Sequence, residues 1–315
     1  MNIKRRNFLK RGFWISAAAF LTDPFSLMTE TKADPPVELN FKPNPQSWSD
    51  DEISLSWIGH STVLINLYGT WIITDPVLGE RVGINLFGKT FGPSRLTPPA
   101  LKFEEIPKPD LILLSHAHMD HTDTKTLSNF AKKYPNQIDV VAAFNTADVI
   151  DEYKWKSISV LDWGMNADLD DLNISAHEVD HFGWRLPWEK DRSRGHYLDG
   201  RSYNSYLIEK NGKKILFGGD TRNTSKLNKL AEEQIDIALM PVGAYNPWRR
   251  YHCDPEEALQ MADSFNAEYF VPIHCKTFRQ GKEPFNEPID WVKNSIPNYN
   301  LKLGLEEIGE TFKIS

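Results

Sequence analysis

Ser115-His116-Ala117-His118-Met119-Asp120-His121 packs three imidazoles and a carboxylate into six positions, directly after the apolar run Leu111–Leu114. Imidazole nitrogens and carboxylate oxygens are the usual ligands of divalent ions such as zinc. Histidines at i and i+2 of an extended segment turn the same way and can clasp one ion, whereas Asp120 and His121 point elsewhere and can reach a second. A loop at the C-terminal end of a strand is where α/β folds gather such groups.

Two ions need further ligands, and other strand ends supply them. Phe217-Gly-Gly-Asp220-Thr221 closes a strand with two glycines that let the backbone turn sharply, which presents Asp220 as a carboxylate able to bridge two cations. The competing reading of Asp220 is a turn carboxylate capping the next helix. Val271-Pro-Ile-His274 ends a second strand in a histidine, and Asp180-His181 follows a third near 172–179. His177 lies inside that third strand and reads as structural.

The elements that must position these groups follow from periodicity. Ile53–Ile58, Val63–Leu67 and Trp71–Thr74 are β-branched or aromatic runs with short breaks, a meander of strands. Residues 76–100 carry glycine and proline without periodicity and read as a long surface loop. Strands at 111–114, 139–142 and 157–160 then alternate with helices near 124–133 and 146–153. Strands follow near 172–179, 203–209 and 213–218, with Asn211-Gly212 as a hairpin turn. A helix near 225–234, a strand at 235–240, a helix at 255–265 and a strand at 269–273 complete the pattern. Asp254 at the N-cap, Pro255 at the first helical position and the acidic Glu256 and Glu257 specify the 255–265 helix best. Two successive halves of sheet followed by helix suggest a duplicated sandwich.

The chain of 315 residues, 40% apolar and 25% charged, suits one large α/β domain. Its N-terminus reads Lys4-Arg5-Arg6-Asn7-Phe8-Leu9-Lys10 before an apolar stretch from Gly12 to Leu21, the pattern of a twin-arginine export signal. Residues 1–33 are expected to be that signal, 34–50 a linker or N-terminal arm, and 51–315 the catalytic domain. The expected location is therefore the periplasm or cell envelope, with a membrane tether if the signal is not cleaved. Removing residues 1–33 takes away six basic residues against two acidic and moves the net charge from −7 to −11, which argues against nonspecific nucleic-acid binding. Only Cys253 and Cys275 occur, too few for a disulfide framework or a cysteine-rich zinc site, and both read as buried thiols.

The chain resembles the metallo-β-lactamase superfamily, and within it the branch containing N-acylphosphatidylethanolamine-hydrolysing phospholipase D. Besides the histidine motif, the resemblance rests on Trp57-Ile-Gly-His-Ser-Thr62, Thr74-Asp-Pro76, Phe91-Gly-Pro-Ser-Arg95, Phe217-Gly-Gly-Asp-Thr221, Gly243-Ala-Tyr245, His252-Cys-Asp-Pro-Glu-Glu-Ala258 and Pro272-Ile-His274, in the family's order. It implies an α/β fold, a four-layer αββα sandwich. It also implies two Zn2+ ions, or other divalent metals, with His116, His118 and His181 on one, Asp120, His121 and His274 on the other, and Asp220 bridging. A hydroxide shared by the ions would be the nucleophile. Asp75 is then expected to accept a proton from a ligand imidazole, and His252 either to face the leaving group as a general acid or to orient substrate, so Asp120 and His252 are the residues expected to serve catalysis.

Hydrolysis of a phosphodiester, such as that of an N-acyl phosphatidylethanolamine, is the function this resemblance favours. Attack on a carboxylic ester, lactone or amide is the alternative, and a non-catalytic envelope-associated metal-binding protein the third reading. The expected partner is a small-molecule or phospholipid substrate, with peripheral membrane contact through the aromatic and basic segment Trp184, Arg185, Trp188, Lys190, Arg192 and Arg194. Packing of those tryptophans inward is the competing expectation. Relatives often have Asn and Tyr where this chain has Ala117 and Met119, and Trp248-Arg249-Arg250-Tyr251 changes the loop before His252. Arg95 reads as an anchor of the site loops, His60 and His196 stay unassigned, and nothing in the sequence sets an oligomeric state.

Overall fold

The computed structural model describes residues 37–86, 89–195 and 197–315. The expected export segment 1–33 and His196 lie outside the described residues.

Ile53–Gly59 (β1), Thr62–Leu67 (β2) and Thr70–Thr74 (β3) form the antiparallel meander that their β-branched residues favour, and β1 and β2 are buried along their whole length. Ile84–Leu86 (β4) and Lys89–Phe91 (β5) pair as a separate small hairpin inside the stretch expected to be only loop. Leu111–Leu114 (β6), Asp139–Ala143 (β7) and Ser157–Leu161 (β8) extend β3 in parallel. The second sheet repeats this plan. Asn166–Leu169 (β9), Leu172–Glu178 (β10), Asn204–Lys210 (β11) and Lys213–Phe217 (β12) are antiparallel, and Ile237–Pro241 (β13), Tyr269–Ile273 (β14) and Lys302–Leu303 (β15) continue in parallel. Thr311–Ile314 (β16) returns to pair with β1, giving seven-stranded sheets ordered β16-β1-β2-β3-β6-β7-β8 and β15-β14-β13-β12-β11-β10-β9. The β11–β12 turn sits on Asn211 and Gly212 with φ of 54° and 75°, the left-handed pair a two-residue hairpin requires.

Helices cross between parallel strands and so cover the sheets from outside. Thr124–Lys133 (α1) links β6 to β7, and Asp123 caps it by accepting from the Lys125 and Thr126 amides. Pro255–Ser264 (α2) links β13 to β14 and starts in a full capping box between Asp254 and Glu257. Glu287–Ser295 (α3) packs beside α2. Two expected helices are absent as such. The 146–153 stretch makes only a 3-10 turn at Ala147–Val149, with Ile150 buried in the core and Val149 and Tyr153 packed against it. The 225–234 stretch is a 3-10 turn, Lys226–Leu230, whose i, i+3 geometry stacks Leu227 over Leu230 on the core.

One apolar core runs through both sheets and includes Trp57, Phe130, Tyr206 and Phe217. The sheets are also tied by polar links, since Tyr206 Oη donates to the Leu114 carbonyl (3.0 Å) and accepts from Asn204 Nδ2 (3.1 Å). The N-terminal arm lies against the first sheet, with Trp48 stacked on Trp71 at 5.5 Å. Among the described residues, no helix is long and apolar enough to cross a membrane.

Candidate metal centre

Strand ends β3, β6, β10, β12 and β14 converge at one end of the sandwich, and each carries one or more of the expected residues: Asp75, His116 to His121, His181, Asp220 and His274. The backbone there is unusual. His60, Asp75, Ala244 and His274 all have φ between 31° and 62°, a region non-glycine residues occupy at a cost of about 1–3 kcal/mol each and mostly at functional sites. Gly219 (φ 59°) is required where it stands, since a Cβ would meet the Asn204 carbonyl at 2.8 Å and Ser115 Cβ at 2.9 Å. That close approach brings Asp220 against the histidine loop.

Among the described residues, two four-residue donor groups result, overlapped by the smaller sets Asp75, His116, His121 and Asp220, His252, His274. His116, His118, His181 and Asp220 place one ligand atom each within 4.8 Å of one another, and His60, Asp120, His121 and His274 do the same. In the first group His118 Nδ1 lies 2.7 Å from His116 Nε2 and 3.3 Å from His181 Nε2. In the second, Asp120 Oδ2 lies 3.3 Å from His121 Nε2 and 3.6 Å from His274 Nε2. Asp220 Oδ2 stands between them, 3.1 Å from both His121 Nε2 and His274 Nε2 and 3.8 Å from His181 Nε2.

These atoms fit metal ions better than each other. His121 Nε2, His274 Nε2 and Asp220 Oδ1 are buried without a hydrogen-bond partner, although the Asp220 carboxylate is within reach of both nitrogens. Tetrahedral ligands with bonds of about 2.0–2.1 Å sit roughly 3.3 Å apart, close to the separations seen. All seven residues read as ligands from the sequence are thus brought together.

Electrostatics agree. Burial and the neighbouring imidazoles hold His116 and His118 well below the usual histidine range, leaving neutral rings with free lone pairs. Burial opposes charge on His121 and His274, yet Asp220 and Asp120 prevail, raising His121 well above its ordinary value and His274 to about 9. Burial likewise opposes charge on Asp120 and Asp220, and the facing histidines still hold both carboxylates well below their range. The carboxylates draw positive charge to the spot a cation would fill.

A supporting layer fixes the rings. The Asp75 carboxylate is fully buried and accepts from the Ser115 amide (2.7 Å), Ser115 Oγ (2.5 Å) and His121 Nδ1 (2.6 Å). Ser115 Oγ in turn meets His116 Nδ1 at 2.9 Å, so Asp75 reaches His116 through the serine. His181 Nδ1 faces the Tyr251 carbonyl at 2.9 Å, and Arg185 Nη1 donates to the carbonyls of Ala117 (2.8 Å) and Thr122 (3.0 Å), bracing the histidine loop. Arg192 is also turned inward, paired to Asp162 at 2.7 Å and stacked on Trp163 at 4.0 Å, whereas Trp188 is 73% exposed. Arg95 is buried over the Phe278 ring and donates to the Gly79 carbonyl at 2.7 Å, an anchor for the loops beside the centre.

Sequence reasoning left His60 unassigned and missed Gln280. His60 Nε2 lies 3.0 Å from Asp120 Oδ2, and Gln280 Nε2 donates to the same oxygen at 2.5 Å. Burial, then His274, push His60 down to about 3, so its neutral ring donates through Nε2. The signal for His60 was its place in a two-residue turn between β1 and β2, level with the other strand ends. Gln280 carried none. His252 faces the centre with Nδ1 3.8 Å from Asp220 Oδ2, whereas His177 turns to Ser175 Oγ at 2.9 Å and takes no part.

The family model described as "Beta-lactamase superfamily domain" matches residues 70–275. The chain is similar to an uncharacterized protein of Mycobacterium tuberculosis, 30% identical over 258 residues that make up 79% of this chain and 65% of that protein, so it spans just under two thirds of that relative's length. It is also similar to N-acyl-phosphatidylethanolamine-hydrolyzing phospholipase D 1 of Caenorhabditis elegans, 28% identical over 264 residues covering 78% of this chain and 70% of that one. Among solved structures, a metallo hydrolase of the archaeon Ignicoccus hospitalis matches with a TM-score of 0.59 at 21% identity, over 84% of this chain and 99% of that chain, a likeness of fold.

Proposed function

Since this chain belongs to the β-lactamase superfamily and is a metal-dependent hydrolase of the metallo-β-lactamase fold, we propose that it is a dinuclear zinc phosphodiesterase of the N-acylphosphatidylethanolamine phospholipase D type. The observation that carries the dinuclear reading is Asp220 Oδ2, which sits 3.1 Å from the nitrogens of His121 and His274 and 3.8 Å from that of His181, shared between two sets of ligands. The similarity to a named phospholipase D supports the phosphodiester reading.

His116, His118 and His181 would hold one ion, Asp120, His121 and His274 the other, and Asp220 would be shared; the bound ions would supply Lewis acidity and lower the pKa of water toward neutral. Asp75, directly at His121 and through Ser115 at His116, keeps the ring protons on Nδ1 so that Nε2 stays free. His60 and Gln280 hold Asp120 Oδ2 in place. His252, 12% exposed at its side chain and aimed at the centre, is held well below the usual histidine range by burial despite Asp220, so its neutral ring is positioned to orient substrate rather than to give a proton to a departing oxygen.

Zinc-reconstituted protein offered bis-p-nitrophenyl phosphate and a simple lactone tests this. Turnover of the diester is expected, and turnover of the lactone alone would replace this reading with carbon-centred attack.

A further inference from the structure

After β13 and β14 the chain continues as two segments that lie side by side. Residues 242–252 lead from β13 to His252, and residues 274–283 lead away from β14 through His274 and Gln280. Gly243 permits the approach, because a Cβ there would run into the His274 carbonyl and meet Cys275 Cβ at 3.1 Å. Polar contacts then join the two segments. The Glu283 carboxylate accepts from the amides of Ala244 (2.5 Å) and Asn246 (3.4 Å), the Lys282 amide donates to the Asn246 carbonyl (2.7 Å), and Trp248 Nε1 donates to the Gln280 carbonyl (3.2 Å).

Trp248 stands where these contacts meet the centre. Its carbonyl accepts from the amides of Tyr251 (2.8 Å) and His252 (3.1 Å), and so closes the turn that brings His252 Nδ1 3.8 Å from Asp220 Oδ2. The same turn sets the Tyr251 carbonyl 2.9 Å from His181 Nδ1. On its other side the indole fixes the backbone of Gln280, and Gln280 Nε2 donates to Asp120 Oδ2 at 2.5 Å. Trp248 thus reaches one residue of each donor group through a single intermediary, Tyr251 toward His181 and Gln280 toward Asp120. It lies outside the motifs that carry the family resemblance, so the ligand pattern alone does not supply this connection.

Resting on the dinuclear reading of the centre, we infer that Trp248 is a positioning residue. By way of Gln280 it holds Asp120 Oδ2 in the direction the second ion requires, and it ties that ligand to the segment that presents His252. Once the Gln280 amide swings away, Asp120 Oδ2 keeps His60 as a donor but gains freedom to rotate, which weakens its bond to an ion.

Zinc affinities of the full chain, read by competition with a chromogenic chelator, test this in a double-mutant cycle of Trp248→Phe and Gln280→Leu. Phenylalanine keeps an aromatic ring and the backbone carbonyl while removing the Nε1 donor. Trp248→Phe is expected to weaken one of the two zinc ions about three- to tenfold, the worth of one hydrogen bond, and to leave the other within about twofold. Gln280→Leu is expected to weaken the same ion at least as much. The double variant is expected to lose no more than Gln280→Leu alone, because the effect of the indole runs through Gln280. A loosened fold would instead lower both affinities and the melting point of the metal-free protein, and its losses would add. Unchanged affinities in Trp248→Phe, losses on both ions, or losses that add in the double variant would overturn the inference. The dinuclear reading fails separately, on a native protein that binds a single zinc ion; the cycle is then read on that ion, where a shared, non-additive loss supports the link and any other result rejects it.

Discussion

Replacing Asp75 by Asn keeps the shape of the buried side chain and changes only what one of its two terminal atoms can do. In the native arrangement Oδ1 accepts from the Ser115 amide at 2.7 Å, and Oδ2 accepts from Ser115 Oγ at 2.5 Å and His121 Nδ1 at 2.6 Å. Asparagine can keep the first bond through its carbonyl oxygen, but its amide group then faces two donors. His121 must turn Nδ1 into an acceptor, which puts its proton on Nε2, the atom 3.1 Å from Asp220 and 3.3 Å from Asp120. Ser115 Oγ, accepting a hydrogen bond from the amide, must donate toward His116 Nδ1, 2.9 Å away, and drives the same tautomer change there. Both donor groups thus lose one lone pair. Loss of such a partner costs about 10–100-fold in metal affinity, or about 1.4–2.8 kcal/mol, and here it falls on each ion. Zinc affinity measured by competition with a chromogenic chelator reads this directly, with thermal melting of the metal-free protein as the control for folding. An Asp75→Asn protein that binds both zinc ions within twofold of the native affinity would refute the tautomer argument.

Other outcomes follow from the same geometry. His60→Ala is expected to weaken the ion held by Asp120 about tenfold, and His60→Gln, which can still donate to Asp120 Oδ2, to recover part of the loss; equal affinities for the two variants would remove His60 from the account. Arg201 grips Asp148 at 2.6 and 2.8 Å and Glu189 at 2.7 and 3.0 Å, and its hydrogen bond lowers the Asp148 pKa. Burial opposes the charge on Glu189, yet Arg201 lowers it too. A lowered carboxylate stabilises the fold above its unfolded pKa and loses that contribution as pH falls through the folded one. Arg201→Met should therefore melt about 2–4 °C below the native protein at neutral pH, with the gap closing below about pH 4; a gap independent of pH would contradict this. Replacing Arg5 and Arg6 by lysine is expected to stop export in a twin-arginine-competent host, and unchanged localisation in cell fractions would discard that expectation.

Much of this centre was legible in the sequence because metal ligation restricts residue type, and because strand ends are visible as the points where apolar runs stop. His116 to His121, Asp220 and His274 each stand at such a stop. The helix at 255–264 was equally plain, since Asp254, Pro255 and Glu257 specify its first turn locally. His60 and Gln280 were not legible as partners of Asp120, because a lone imidazole or amide gains its meaning from a contact 60 or 160 residues away. The segment from Trp184 to Arg194 misled in part. Arg185 and Arg192 turn inward onto carbonyls, a carboxylate and a ring while Trp188 stays out, and composition does not say which way a side chain points. The 3-10 turns at 147–149 and 226–230 are short stretches where tertiary packing overrides helical propensity.

The proposed activity requires a pair of ions acting together on a phosphodiester. Metal-free protein titrated with zinc while bis-p-nitrophenyl phosphate turnover is followed tests this most directly. Activity is expected to rise and level off at two equivalents per chain, and Asp220→Ala to hold fewer than two ions with its activity lost. A plateau at one equivalent, or two bound ions and full activity in the Asp220→Ala protein, would contradict the shared-carboxylate centre.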